Sequence, residues 1–285
     1  TERKRGFAGI LPCRSVPLLP FPITYHKIPK NLSQIYPFIL RRTHFIFIIT
    51  YRNNKPFLYG GKYLMLKAIF VDYTGTIIKN DGQDVRKLLK RCYENSDIES
   101  PQIMLTYWWN LIKEFEEKSY GNTFLSEDEI VEEILKHCVK QIHLKDNLDE
   151  LHELCRRFWI HAPAFEDAKE FFSKCRLPIY IITNISTIYV EEGMKEKDLH
   201  PANIISSDMA KAHKPHRQLF EKALEISKCR ADEVIHIGDS LTSDVKGASL
   251  CGIKALFLDR NNQKPIENVD TIHSLLEALK WIEQL

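Results

Sequence analysis

Apolar residues follow two alternating rhythms along this chain. Short unbroken runs occur at Leu66–Val71, Ile179–Ile182, Ile204–Ile205, Val234–Ile237 and Ala255–Leu258. Runs of that length without polar interruption predict strands buried on both faces, as in a parallel sheet. Between them, apolar positions recur three and four residues apart, which predicts helices over about Phe165–Lys174, His216–Ser227 and Ile272–Ile282. One helical region is much longer, from about Asp84 to Phe158. Within it, Ser126-Glu127-Asp128-Glu129 reads as a capping box. The helix it opens has an apolar face marked by Ile130, Ile134 and Val139, with Leu135 alongside. Asn147 reads as a second cap, ahead of Leu148, Leu151, Leu154 and Phe158. Ser119–Thr123, with Gly121, reads as a loop between helices. Strands alternating with helices predict an α/β fold with a doubly wound parallel sheet and right-handed crossovers. The helical block between the first two strands is too long for a crossover, so it predicts an inserted all-helical domain. The expected division is a core of residues 65–79 and 166–285 with a helical insertion over 80–165.

Composition narrows the partners. The 285 residues carry a net charge of only +2, which points to no dedicated nucleic-acid or membrane surface. Seven scattered cysteines, with no C-x-x-C pair, indicate neither a disulfide framework nor a zinc site. A reducing, cytoplasmic setting is expected. Charge is unevenly spread, however. Residues 1–64 hold eleven Lys and Arg, one acid and seven of the thirteen prolines, whereas residues 65–285 hold 29 basic and 37 acidic residues. The first methionine is Met65. Gly60-Gly61-Lys62 can be encoded by a purine run like a bacterial ribosome-binding site. Residues 1–64 are therefore expected to be a non-native or poorly ordered extension, with Met65 as the natural start.

Each predicted strand ends in a polar group. The first ends at Asp72, followed by Tyr73, Thr74 and Gly75. The second ends in Thr183-Asn184, Lys214-Pro215 opens a later helix, and Val234–Ile237 ends in Gly238-Asp239-Ser240, with Asp244 five residues beyond Asp239. Ligands of open α/β sheets bind at the carboxyl ends of the strands. Taken singly, each residue suits a structural role, as a turn Asp, a strand exit, a solvated lysine or an N-cap. Their arrival at successive strand tips gathers carboxylates, a lysine and a hydroxyl on one edge. Packed carboxylates repel unless a cation neutralises them, and a few hard oxygen ligands suit Mg2+.

The chain from Met65 resembles the haloacid dehalogenase (HAD) superfamily, with its Rossmann-like core and helical cap. The motifs are Asp72-Tyr73-Thr74-Gly75-Thr76, Thr183 with Asn184, Lys214 with Pro215, and Gly238-Asp239-Ser240-Leu241-Thr242-Ser243-Asp244, over about residues 65–260. The resemblance implies a Mg2+-dependent hydrolase of small phosphorylated metabolites. Asp72 would be the nucleophile and form an aspartyl-phosphate. Mg2+ would lie among the Asp72 carboxylate, the Thr74 carbonyl and Asp239, with Asp244 orienting the site. Lys214, Thr183 and Asn184 would serve the phosphoryl group.

One position departs from the phosphatase pattern. Phosphatases of the superfamily usually carry a second Asp two residues after the nucleophile, and here Thr74 stands there. A Thr hydroxyl is a poor general acid or base near neutrality. The expectation is slow turnover or a preference for good leaving groups. Three other readings remain: cleavage of a C–P bond with a cap lysine such as Lys113, as in phosphonoacetaldehyde hydrolases; dehalogenation of 2-haloacids; and a regulatory or binding protein on a weakened fold.

Overall fold

The computed structural model describes residues 58–59, 62–63, 65–261 and 266–283. Expectations about residues 1–64 therefore fall outside the described residues, apart from two short strands. These are β1 (Leu58–Tyr59) and β2 (Lys62–Tyr63), paired antiparallel.

The apolar runs form a six-stranded parallel sheet. Its strands are β3 (Ala68–Val71), β4 (Ile179–Thr183), β5 (Asn203–Ser206), β6 (Val234–Gly238), β7 (Lys254–Leu258) and β8 (Thr271–Ile272). The spatial order is β5-β4-β3-β6-β7-β8, and every neighbouring pair is parallel. Chain order reverses between β3 and β6, which is where open α/β sheets form a ligand crevice. Side chains alternate across the pleat. Ile69, Val71, Ile179, Ile181, Ile235 and Ile237 enter one apolar cluster, whereas Ala68, Phe70, Ile182 and Val234 enter a second. Both faces are buried, which explains the unbroken apolar runs.

Four helices stand between β3 and β4: α1 (Gln83–Glu94), α2 (Pro101–Lys118), α3 (Glu127–Gln141) and α4 (Leu148–His161). Ser126 and Glu129 form the expected capping box, and the Asn147 side chain accepts from the Asp149 and Glu150 amides. The insertion shares one apolar cluster with the sheet face above it, running from Ile69 and Val71 through Leu88, Trp108, Ile134 and Phe158. A polar tie reinforces that contact, because the Tyr73 hydroxyl donates to the Trp159 carbonyl at 2.9 Å.

After the insertion come α5 (Glu166–Lys174), α6 (Thr187–Glu196), α7 (Ser207–Ala210), α8 (Arg217–Ser227), α9 (Gly247–Leu250) and α10 (Leu275–Glu283). Three details differ from the sequence reading. Val139 is 41% exposed, and Cys138, in register with Ile130 and Ile134 at four-residue steps, fills the buried face instead. Ile272 belongs to edge strand β8, so the closing helix begins only at Leu275. The apolar pattern also gave no sign of α6, where β-branched residues and Gly193 lower helix propensity. That glycine has a structural reason: a Cβ there would lie 2.2 Å from the Tyr73 hydroxyl.

Candidate active site

Asp72 is the first residue beyond β3, and its amide donates to the Ile237 carbonyl of β6 at 2.9 Å. That bond fixes Asp72 at the crevice where chain order reverses. The chain then turns sharply. Ile77 and Ile78 amides donate back to the Tyr73 carbonyl, and the Gly75 amide donates to the Ile78 carbonyl at 2.7 Å. Gly75 has φ +86, and a Cβ on it would lie 2.1 Å from Asp239 Oδ2, so both conformation and space require glycine.

Strand β6 ends at Gly238, which brings Asp239 and Asp244 opposite Asp72. Asp244 sits on a π-helical turn, Leu241–Lys246, of the kind that often marks functional sites. Its carboxylate accepts from the Ser240 amide at 3.0 Å, from His236 Nε2 at 2.8 Å and from Lys214 Nζ at 2.7 Å. Lys214 Nζ also donates to Asp72 Oδ1 at 2.5 Å. The lysine thus bridges two buried carboxylates. Burial opposes its charge, but Asp244 and Asp72 outweigh that and raise its pKa. Burial also opposes the Asp244 charge, and Lys214 and His236 reverse the outcome, holding Asp244 below the usual carboxylate range. Asp72 goes the other way, raised because burial outweighs its lysine partner.

Asp239 is the carboxylate left over. It has no cationic partner among the described residues in contact with it, and burial followed by the charges of Asp72 and Asp244 pushes its pKa up. Oxygens of Asp72, Asp239 and Asp244 all lie within 4.8 Å of one another. Three carboxylates against one lysine leave negative charge that a hard divalent cation would neutralise, so the donor set fits an ion such as Mg2+. A cleft of about 410 Å³ opens beside this group, bordered by Gly75, Lys79, Asn80, Asp239 and Arg260.

Thr183 and Asn184, at the tip of β4, are tied into the protein. Thr183 is buried, and its hydroxyl oxygen accepts from the Ile185 amide at 3.1 Å. Asn184 Oδ1 accepts from the Lys214 amide at 2.7 Å, while Asn184 Nδ2 donates to Glu116 Oε1 at 2.7 Å. Asn184 thus positions the lysine from one end and holds a glutamate of the insertion from the other. Thr74 Oγ1 is buried with no hydrogen-bond partner among the described residues.

Some expected residues stand elsewhere. Lys113 is exposed on α2. Trp108 is buried in the insertion, with Tyr107 and Trp109 packed against the same cluster. The Ser119–Thr123 loop is docked: the Leu125 amide donates to the Ser119 hydroxyl at 2.6 Å, and the Gly121 amide donates to the Lys211 carbonyl at 2.8 Å. Sequence reasoning missed Glu116 and His236. Glu116 did leave a signal, because it continues the buried stripe of Trp108 and Ile112 at four-residue steps. A carboxylate on an apolar stripe is costly unless partnered.

Comparison with known proteins supports the same assignment. The family model of haloacid dehalogenase-like hydrolases matches residues 66–252. A glyceraldehyde 3-phosphate phosphatase of Methanocaldococcus jannaschii is 27% identical over 115 residues, 38% of this chain and 50% of that protein. The enzyme of the same name from Pyrococcus abyssi is 38% identical over 55 residues, 19% of this chain and 23% of its own. The matched regions thus span half or less of these relatives' length. Among solved structures, the putative HAD-hydrolase YfnB from Bacillus subtilis, bound to magnesium, is 21% identical, with a TM-score of 0.62 over 76% of this chain and 99% of that one. The L-2-haloacid dehalogenase from Xanthobacter autotrophicus is 15% identical, with a TM-score of 0.65 over 78% and 100%. Identities this low establish the fold alone. The family match, resting on two thirds of the chain, establishes more: this chain belongs to the haloacid dehalogenase-like hydrolases.

Proposed function

We propose that the chain is a Mg2+-dependent phosphohydrolase of small phosphorylated metabolites, working in the cytoplasm through an aspartyl-phosphate on Asp72. The observation that carries this reading is the gathering of Asp72, Asp239 and Asp244 at the sheet's reversal point, with Lys214 bridging two of them. The bound cation would supply charge neutralisation on the phosphoryl oxygens and would be held by Asp72, the Thr74 carbonyl and Asp239, with Asp244 orienting the site. An Asp72 carboxylate oxygen attacks phosphorus, the bond from phosphorus to the leaving oxygen breaks, and that oxygen takes a proton from solvent. Water then attacks the aspartyl-phosphate, releasing inorganic phosphate and the free carboxylate. Lys214 holds Asp72 in place and offsets negative charge as it builds up. Thr183 and Asn184 shape the phosphoryl subsite, and the helices of residues 80–165 act as a cap over the strand tips. The glyceraldehyde 3-phosphate phosphatases among the relatives favour a phosphorylated substrate.

Competing readings draw less support. Lys113 is exposed on α2, which gives no basis for a Schiff-base lysine. Dehalogenation needs no cation, whereas the uncompensated Asp239 favours one. The test is to mix the protein with Mg2+ and a labelled aryl phosphate, quench in acid, and treat the product with hydroxylamine. We expect an acid-stable, hydroxylamine-sensitive label, and Asp72→Asn should lose both the label and at least about 10³-fold in turnover, the scale for an essential nucleophile. Turnover of 2-haloacids without Mg2+, or an undiminished Asp72→Asn variant, would overturn the proposal.

A further inference from the structure

Beneath the cap, a second group of ligand-bearing side chains lies outside the machinery described above. Glu116 near the end of α2, Glu127 at the start of α3 and His213 just before Lys214 are all buried, and their donor atoms lie within 4.8 Å of one another. Their arrangement is specific. His213 Nε2 donates to the Leu125 carbonyl at 2.9 Å, so its proton points away from the cluster and the Nδ1 lone pair points in. Phe124 stacks on the ring at 5.2 Å between centroids and fixes its plane. Neither His213 Nδ1 nor Glu127 Oε2 has a hydrogen-bond partner among the described residues. These two atoms face each other at 4.0 Å. That gap is too long for a hydrogen bond. It is wider than the roughly 3.4 Å between two ligands of a tetrahedral zinc ion, each about 2.0–2.2 Å from the metal, so closing on an ion takes an inward shift of about half an ångström. Glu116 completes the set, with Asn184 Nδ2 donating to its Oε1 as an outer-shell support.

We propose that Glu116, Glu127 and His213 form a second cation site, for a divalent transition ion of the zinc class, that clasps the helical insertion to the sheet. One imidazole nitrogen with two carboxylates suits such an ion better than Mg2+, which favours all-oxygen sets. Two of the ligands come from the insertion and the third from the core. Through Asn184, which also holds the Lys214 amide, the clasp reaches the lysine that bridges Asp72 and Asp244. The site does not depend on the phosphohydrolase reading.

The experiment is equilibrium dialysis of the full chain against Zn2+ with Mg2+ in large excess to occupy the strand-tip acids. We expect one tightly held zinc per chain. Glu127→Gln and His213→Gln should each weaken it by more than the roughly 10–100-fold typical of an outer-shell change. Asn184→Ala should fall within that range, and Asp239→Asn should retain the zinc. Co2+ in place of zinc should give a visible absorption band that Glu127→Gln abolishes. Circular dichroism identifies any variant that fails to fold, and the unsubstituted protein decides the matter alone if none does. Failure to hold zinc, loss of zinc in Asp239→Asn, or retention in both Glu127→Gln and His213→Gln would each overturn the proposal. Hydroxylamine trapping of a phosphoenzyme reads the other site, so the two ideas fail separately.

Discussion

Two buried acidic clusters lie side by side in this protein, and they manage charge differently. At the strand tips, Asp72 and Asp244 share Lys214, a cation built into the chain, and only Asp239 is left over. Where the helical insertion meets the core, Glu116 and Glu127 face a histidine and an asparagine, with no lysine or arginine in hydrogen-bond contact with either among the described residues. Burial raises the pKa of both glutamates, and for Glu127 the neighbouring Glu116 adds to it. The first cluster has two of its three carboxylates compensated from within the chain. The second is neutralised only by a proton or by an ion from outside. Asn184 touches both, so the two balances are mechanically linked.

Removing the built-in cation should make the first cluster behave like the second. Lys214→Met strands two buried carboxylates, and breaking a buried pair from one side costs about 3–5 kcal/mol. Chemical denaturation at neutral pH should register a loss of that size, with Mg2+ restoring more stability to the variant than it adds to the parent. A Lys214→Met protein as stable as the parent without Mg2+ would mean that the clusters do not differ in the way described.

Acid should expose the second cluster. Burial lowers the His213 pKa to about 4, against about 6.5 for an unfolded histidine. Between those values the unfolded chain takes up a proton that the native imidazole refuses, so the His213 contribution to stability falls as pH drops from about 6.5 towards 4. The span corresponds to about 3 kcal/mol. Urea unfolding in chelator across that range should show the parent losing stability relative to His213→Gln as pH falls, on top of the opposite gain that the raised Glu116 and Glu127 carboxyls give both proteins. An equal slope in both proteins would assign the acid sensitivity to other groups.

Thr74 offers a test by addition. Thr74→Asp places a carboxyl where phosphatases of the family usually have one, and general acid–base help is typically worth about 10²–10⁴-fold. With an alkyl phosphate we expect a rise at the low end, about 10²-fold, because a fourth carboxylate joins an already crowded group. With an aryl phosphate, whose leaving group needs no proton, the gain should be much smaller. Equal gains on both substrates would sink the general-acid argument.

The contrast between the clusters also explains what could be read from the sequence. A parallel sheet presents its strand ends together, so a carboxylate after each apolar run is already a spatial statement. Asp72, Asp239 and Asp244 were legible for that reason, and so were five of the six strands of that sheet. Glu116, Glu127 and His213 come from two helices and a loop, and nothing local records how those helices pack. Capping residues such as Ser126 and Asn147 were legible because their partners lie within three residues. Val139 was misplaced because one turn of helix offers two neighbouring apolar choices, and Cys138 took the buried one. Edge strand β8 was missed because two residues beside Asp270 carry too little pattern to separate from a helix start.

The smallest effect separates two neighbours on one turn. Glu127 and Asp128 both sit in the first turn of α3, yet their carboxyls shift in opposite directions. Glu127 points inward with no cation in contact. Asp128 points across to α4 and α6. Burial works against its charge too, but His152 Nε2 at 3.1 Å, Arg156 Nε at 2.8 Å and Nη2 at 2.9 Å, and the Tyr189 hydroxyl at 3.0 Å outweigh it and hold it below the usual range. A carboxylate lowered in this way contributes stability that is fully present above the unfolded value of about 3.9 and is lost as pH falls through the folded one. Asp128→Asn should cost about 1–2 kcal/mol at neutral pH, at the lower end for a charged hydrogen bond because the site is partly open to solvent. The gap between parent and variant should narrow once the pH drops below about 4. It should also shrink with added salt, which screens a half-open pair more than a buried one. A gap that persists unchanged below pH 4 would mean that Asp128 acts by shape rather than by charge, and that inward or outward aim alone does not separate it from Glu127.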